Sequence, residues 1–141
     1  MRTALLAVAA GLILTGCGGG GVSTSGKDIS MATVTGDASA EQACIDLFGK
    51  ANELGSKFSE ADFTWVGHGD GDLWCYVTPV GKTQNDAPVS FQTGKQKFNA
   101  SIDAGNGWYL TPGTEVKGAW SDDQKKAVAD LAAQAAKHVK P

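Results

Sequence analysis

The stretch from Gly67 to Asp72 holds the densest group of side chains that are able to bind a metal ion. His68, Asp70 and Asp72 alternate with glycines, so an extended backbone projects all three toward one side. An imidazole and two carboxylates are ligand types that divalent cations accept. The same residues suit a glycine-rich hairpin loop, in which Asp side chains accept hydrogen bonds from nearby backbone amides. Because the spacing lacks the closing glutamate of a calcium-binding loop, we predict a loop with no metal or other cofactor.

Catalytic motifs elsewhere in the chain are incomplete. Gly81-Lys82-Thr83 resembles the end of a phosphate-binding loop, but Tyr76 stands where that motif requires its first glycine. The chain has 2 histidines, and the second of them, His138, has the position of a helix-end residue. We therefore predict that the protein is not an enzyme.

The N-terminal segment points to export and lipid attachment. Arg2 precedes an apolar run, Ala4 to Leu14, that is too short to span a membrane and has the layout of a signal peptide. Leu14-Thr15-Gly16-Cys17 resembles the lipobox of bacterial lipoproteins. In that family the cysteine thiol receives a diacylglyceryl group and the chain is cut just before it. The resemblance implies a signal peptide over residues 1–16 and a lipidated N-terminus at Cys17, anchored to the extracytoplasmic face of the cell membrane. An ordinary signal peptide whose cleavage site contains a cysteine is the alternative.

Composition narrows the classes of partner. The formal net charge is −3, and Arg2, inside the predicted signal peptide, is the one arginine of the sequence. Nucleic-acid binding depends largely on cationic contacts to phosphates, so we predict no nucleic-acid partner. An acidic chain is also not attracted to anionic lipid, so membrane attachment is expected through the acyl chains on Cys17.

Two cysteines remain once Cys17 is assigned to lipidation. Cys44 and Cys75 form an even pair in a chain that is predicted to be exported into an oxidising compartment. A metal-binding or redox pair is the alternative, but the sequence contains no Cys-x-x-Cys motif. We predict a disulfide between Cys44 and Cys75.

A change in composition divides the mature chain near residue 38. Residues 17–37 are rich in Gly, Ser and Thr, which predicts a lipidated N-terminus followed by a flexible tether. Residues 38–141 carry regular helix and strand patterns. They open with a capping box at Ser39, which predicts a helix over residues 39–58.

Strand patterns and a second helix follow. Runs of β-branched and aromatic residues predict strands at 63–66, 73–77, 89–92, 97–102 and 108–110. Asn106-Gly107 predicts a tight hairpin turn before the last strand, and a capping box at Ser121 predicts a helix running to Lys140. The order α-β-β-β-β-β-α predicts one small α+β domain with an antiparallel sheet, its first helix tethered to the sheet by the disulfide.

Alternation along one strand predicts two different faces of this sheet. Cys75 shares its face with Leu73 and Val77, so that face is expected to pack on the first helix. Trp74 and Tyr76 point to the opposite side. Because large aromatic side chains are mostly buried, we predict that the C-terminal helix covers them. If it does not, they form an exposed partner surface.

Such an exposed aromatic surface is the candidate binding site of the protein. Trp120, just before the C-terminal helix, is predicted to complete the patch of Trp74 and Tyr76, because aromatic residues are the usual anchors of binding surfaces. We predict a binding or accessory module of the cell envelope, with an unknown envelope protein or ligand as its partner. The alternative is a prophage-encoded lipoprotein that blocks DNA entry by a second phage. In general character the chain resembles small lipoproteins of actinobacteria and their phages.

Overall fold

The computed structural model describes residues 26–113 and 119–141. The predicted signal peptide, residues 1–16, and the predicted lipidation site, Cys17, lie outside the described residues. Along the described chain the elements are β1 (Ile29–Ser30), a 3-10 helix (Met31–Thr33), α1 (Asp37–Phe48), α2 (Ala51–Gly55), β2 (Phe63–His68), β3 (Leu73–Pro79), a second 3-10 helix (Gln84–Asp86), β4 (Val89–Gly94), β5 (Ile102–Gly105), β6 (Trp108–Pro112), α3 (Asp122–Ala136) and β7 (Val139–Lys140).

Five of these strands form one antiparallel sheet in the order β2-β3-β4-β6-β5. The first three strands are neighbours in chain order. After β4 the chain skips one strand position and forms β5 at the edge of the sheet. It then turns at Asn106-Gly107 and forms β6 between β4 and β5. Both turn residues have positive φ, 55° and 82°, as a two-residue hairpin requires. The small α+β domain with an antiparallel sheet is confirmed, and so is this turn.

The helices lie together on one face of the sheet. Helix α1 packs on β2 and β3, α2 packs on the same two strands, and α3 packs on β5 and β6. Between the helices and the sheet lies an aromatic cluster in which the Phe48 and Phe91 rings stack at 4.4 Å between centroids. The indole of Trp65 lies 5.2 Å from the Phe48 ring. This buried layer is the core of the domain.

The disulfide is confirmed. Cys44 on α1 and Cys75 on β3 are joined with an S–S distance of 2.09 Å. Both cysteines are buried together with Leu73 and Val77, so the face of β3 that was predicted to meet the first helix does so. The bond connects the two elements that carry this part of the core.

Of the two predicted capping boxes, one forms and the other does not. At Ser121 the side-chain oxygen accepts from the Gln124 amide at 3.1 Å, and the Gln124 side chain accepts from the Ser121 amide at 2.8 Å. At Ser39 the prediction is wrong, because α1 has already begun at Asp37. The Ser39 hydroxyl instead donates to the Gly36 carbonyl and accepts from the Thr35 amide, each at 2.9 Å.

The predicted helix over residues 39–58 is divided into two. Gly49 ends α1 with a φ of 81°, a conformation that glycine adopts without steric cost. Its carbonyl oxygen leaves the helical pattern and accepts from the indole nitrogen of Trp65 at 2.7 Å. A tertiary hydrogen bond thus uses the carbonyl at the helix end, and α2 starts again at Ala51.

The folded part begins well before residue 38, so the predicted extent of the tether is wrong. Ile29 and Ser30 form β1, which pairs in parallel with Val139 and Lys140 of β7. Ile29, Met31 and Val34 are buried in the core. Burial of these apolar side chains and the pairing of β1 with β7 offset part of the backbone freedom that the segment loses when it is ordered. Val139 is accordingly a strand residue, and α3 ends at Ala136 rather than at Lys140.

Within residues 26–113 and 119–141, no helix has the length and apolar character that are needed to cross a membrane.

Candidate functional site

The face of the sheet that carries Trp74 and Tyr76 is not covered by an α-helix in the described structure. Trp74 and Tyr76 alternate with the buried residues of β3, and both are half-buried. All three helices pack on the other side, so the prediction that the C-terminal helix covers these two rings is wrong. The rings are nearly parallel, with an interplanar angle of 10° and 6.3 Å between centroids.

These rings form part of a cleft of about 470 Å³, here called the aromatic cleft. Its floor is made by Trp74 and Tyr76 of β3 and by their cross-strand partners on β4, Gln92 and Ser90. Strand pairing therefore sets the floor, because each aromatic residue of β3 lies directly beside a polar residue of β4. The chemistry of the floor is half apolar and half hydrogen-bonding.

Two connecting segments make the sides of the aromatic cleft. The second 3-10 helix and the residue after it contribute Gln84, Asn85 and Ala87. The loop between β4 and β5 contributes Phe98, and Gly113 lies at the end of β6. A Cβ atom at Gly113 would come within 2.1 Å of the Ser90 hydroxyl oxygen, so glycine permits the close approach of β6 to the floor.

Phe98 is a member of the cleft that the sequence did not indicate. The predicted strand over residues 97–102 placed it in the sheet, but β5 starts only at Ile102. The loop is held instead by Ser101, whose hydroxyl accepts from the Phe98 amide and is hydrogen-bonded to the Thr111 hydroxyl, both at 2.7 Å. Phe98 is left 39% exposed. An exposed phenylalanine in a short polar loop is the signal that could have located it.

Trp120 does not belong to this cleft. Its ring packs edge-on against Phe58 at 5.7 Å between centroids and lies against the core on the helix side. Its indole nitrogen is buried and has no hydrogen-bond acceptor among the described residues. The predicted patch of three aromatic residues is thus reduced to Trp74 and Tyr76, with Phe98 in place of Trp120.

His68 is used for contacts within the protein. One ring nitrogen, Nδ1, lies 3.2 Å from the Asp37 carboxylate at the start of α1. The other, Nε2, is hydrogen-bonded to the side-chain oxygen of Gln84, at the side of the aromatic cleft. The hydrogen bond to Asp37, followed by the one to Gln84, raises the pKa of His68 above its usual value.

The predicted weak metal candidates do not come together. Asp70 is exposed, and no group of three or more His, Cys, Asp or Glu side chains among the described residues is arranged to hold a metal ion. His68 has its two nitrogens bonded to Asp37 and Gln84, which leaves neither free as a metal ligand.

The described lining residues of the aromatic cleft are uncharged at neutral pH. Among its described lining residues none carries a full charge, and tyrosine is the one that can ionise. Burial raises the pKa of Tyr76, so its hydroxyl stays protonated at neutral pH and can both donate and accept hydrogen bonds. The described lining residues thus offer a ligand apolar surface and uncharged hydrogen-bonding groups.

No protein-family model matches the chain, and neither a curated protein nor a solved structure matches it significantly.

Proposed function

We propose that the protein is a lipoprotein of the cell envelope, anchored through Cys17 to the extracytoplasmic face of a membrane, and that its folded domain is a non-enzymatic binding module. The lipobox-like residues Leu14 to Cys17 support the anchor. The Cys44–Cys75 disulfide supports the compartment, because such bonds persist in oxidising surroundings.

The observation that carries the binding role is the aromatic cleft itself. Trp74 and Tyr76 are held on an antiparallel sheet, partly exposed, with hydrogen-bonding side chains beside them. Ligand sites combine apolar and aromatic surface with a few polar groups that fix orientation. Residues on a sheet are also held more precisely than residues on loops. The cleft has this composition and support, and it lies on the side of the sheet away from the helices.

The experiment that tests the binding role places a photo-reactive phenylalanine analogue at Tyr76 in the full-length chain. The protein is expressed in the cells from which the gene comes, irradiated, and examined for covalent adducts. The control carries the same analogue at Ala133, an exposed position of α3 on the helix side. We expect adducts from position 76 and none of the same species from position 133. Absence of adducts from position 76, or equal labelling from both, would contradict a binding role for the cleft.

The anchor is tested separately with Cys17→Ser. In the lipoprotein family the cysteine thiol is the site of acylation, so the variant is expected to remain an unacylated, uncleaved precursor. Mass spectrometry measures the added acyl groups, and phase partition after removal of the signal peptide measures membrane affinity. If this Cys17→Ser chain still enters the detergent phase, the anchor does not depend on Cys17.

A further inference from the structure

The two aromatic rings of the cleft are arranged for a ligand built of repeating rings. Trp74 and Tyr76 are two residues apart on β3, and their planes differ by 10°. At 6.3 Å between centroids the two rings stack on each other rather than lie side by side, so a ligand ring can pack on the outer face of each. Aromatic faces are electron-rich and attract the slightly positive C–H groups of an apolar ring face. A pyranose sugar has such a face.

The polar groups beside these rings can all both donate and accept hydrogen bonds. Gln84, Asn85 and Gln92 contribute amides, each with a carbonyl oxygen and an NH₂ group, and Ser90 contributes a hydroxyl. Sugar hydroxyls likewise donate and accept, so an amide can satisfy two neighbouring hydroxyls at once. The polar side of the cleft thus matches the hydroxyl groups of a sugar.

Gln84 is oriented for this task by a contact outside the cleft. Its side-chain oxygen accepts from His68, which leaves its NH₂ group as the donor toward a ligand. His68 is itself held by the Asp37 carboxylate at 3.2 Å. A polar group that is fixed before binding loses less conformational freedom when the ligand arrives.

Among the described lining residues, the lack of charge favours a neutral ligand over the other flat ligands that stack on aromatic rings. Nucleobases stack in this way, but nucleic-acid sites pair the stacking surface with cationic groups for the phosphates. Among the described residues that line the aromatic cleft there is no Lys and no Arg, and the whole chain has a net charge of −3. Acidic sugars are disfavoured for the same reason.

We propose that the aromatic cleft binds a neutral oligosaccharide chain, with pyranose rings stacked on Trp74 and Tyr76 and sugar hydroxyls bonded to Gln84, Gln92 and Ser90. This inference rests on the proposed function, because it names the ligand class of the same site. An envelope glycan is a ligand of this chemistry within reach of a protein anchored at the cell surface.

The test presents the full-length protein, purified in a zwitterionic detergent that carries no sugar, to immobilised oligosaccharides. Neutral probes are oligomers of glucose, mannose, galactose and N-acetylglucosamine, and charged probes are uronic-acid and sulfated oligomers. Oligouridylate RNA and a proline-rich peptide represent the other classes that bind aromatic clefts. We expect binding to at least one neutral oligomer and to none of the charged, RNA or peptide probes. Binding to no neutral oligomer, or stronger binding to another class, overturns the inference.

Variants locate the binding. For the oligomer that binds, Trp74→Ala is expected to weaken the affinity roughly tenfold or more. Gln92→Leu, which removes the amide at nearly constant size, serves as a second variant and is also expected to weaken binding. Tyr109→Ala is the matched control, because it removes a half-buried aromatic residue from β6 that does not line the cleft. Equal affinity of Gln92→Leu and wild type, or an equal loss in Tyr109→Ala, contradicts the assigned site.

The two proposals fail in different ways. If no neutral oligosaccharide binds but the analogue at position 76 forms adducts with a cellular protein, the binding role stands and the sugar inference falls. If a sugar binds and Trp74→Ala and Gln92→Leu leave its affinity unchanged, the ligand class stands and the cleft is not its site.

Discussion

The two faces of the sheet carry similar aromatic residues with opposite fates. On the helix side, Phe48 and Phe91 stack at 4.4 Å and are almost completely buried. On the other side, Trp74 and Tyr76 are also parallel to each other but stay half exposed. The difference teaches that an aromatic residue in a strand does not by itself indicate core. What decides is the position of the helices.

The helix α3 covers the same face of the sheet as α1 and does so with mostly small side chains. Its buried residues are mostly alanine, together with Val128 and Leu131. The sequence suggested that an alanine stripe is a weak cover for large aromatic rings. In the structure this stripe packs on β5 and β6 beside α1 and does not contact the two aromatic rings. The open face is left to the two connecting segments that form the sides of the cleft.

The largest loss of stability is expected from truncating a side chain on the face of the sheet that the helices cover. Phe91→Ala removes a side chain that is 1% exposed and stacked on Phe48, so it is expected to lower the free energy of unfolding by about 3–5 kcal/mol. Urea unfolding beside wild type measures it. A loss no larger than that of Trp74→Ala would remove the distinction between the two faces.

Removal of the disulfide tests how strongly the covered face depends on its covalent link. The sequence separation of Cys44 and Cys75 is 31 residues, and for a loop of this length the double replacement by alanine is expected to cost about 3–4 kcal/mol on the chain-entropy model. Urea unfolding again measures the loss. Thiol labelling of the denatured, unreduced protein should leave both cysteines unlabelled, and labelling of both would contradict the bond.

On the open face, the same kind of truncation is expected to cost little stability. Trp74→Ala removes a half-buried ring and leaves no closed cavity, so we expect a loss of about 1 kcal/mol. The comparison of interest is with Phe91→Ala under the same conditions. A loss in the range expected for Phe91 would mean that Trp74 is structural, and the aromatic cleft would lose its role as a site.

The smallest effect concerns the link between His68 and Asp37. Because the pKa of His68 is raised in the folded state, its contribution is fully present below the unfolded pKa of about 6.5 and is lost as pH rises through the folded pKa. His68→Gln is therefore expected to lower the free energy of unfolding near pH 6 by at most about 0.5 kcal/mol, because the pair is exposed. Near pH 9 the loss is expected to be much smaller.

The difference between wild type and His68→Gln isolates this histidine, because His138, which bonds Asp28 at 2.7 Å, is present in both proteins. His138→Gln provides the matched control for a histidine outside the cleft. If wild type and His68→Gln differ in free energy of unfolding by the same amount at pH 6 and at pH 9, the Asp37 contact does not act through the charge on His68.

Local signals in the sequence determined the features that depend on neighbouring residues. The capping box at Ser121 forms because its partners lie three residues apart. The Asn106-Gly107 turn forms because both residues tolerate positive φ. Alternation along β3 placed Cys75 and Trp74 on opposite faces, and the even pair of cysteines gave the disulfide. The first three depend on bonds or geometry within a short stretch of chain. The disulfide depends on there being two cysteines left to pair once Cys17 is set aside.

Tertiary structure decided the rest, because those outcomes depend on groups that are distant in sequence. The N-terminal segment joins the core because β7 offers Ile29 a pairing partner some hundred residues away. Gly49 ends α1 where the Trp65 indole takes its carbonyl, and Ser39 lost its capping role when the helix began earlier. The face on which α3 lies, and hence the cleft with Phe98, follows from how helices and loops share the two sides of one sheet. Periodicity gives each element two faces, and only packing of the whole chain selects which one is covered.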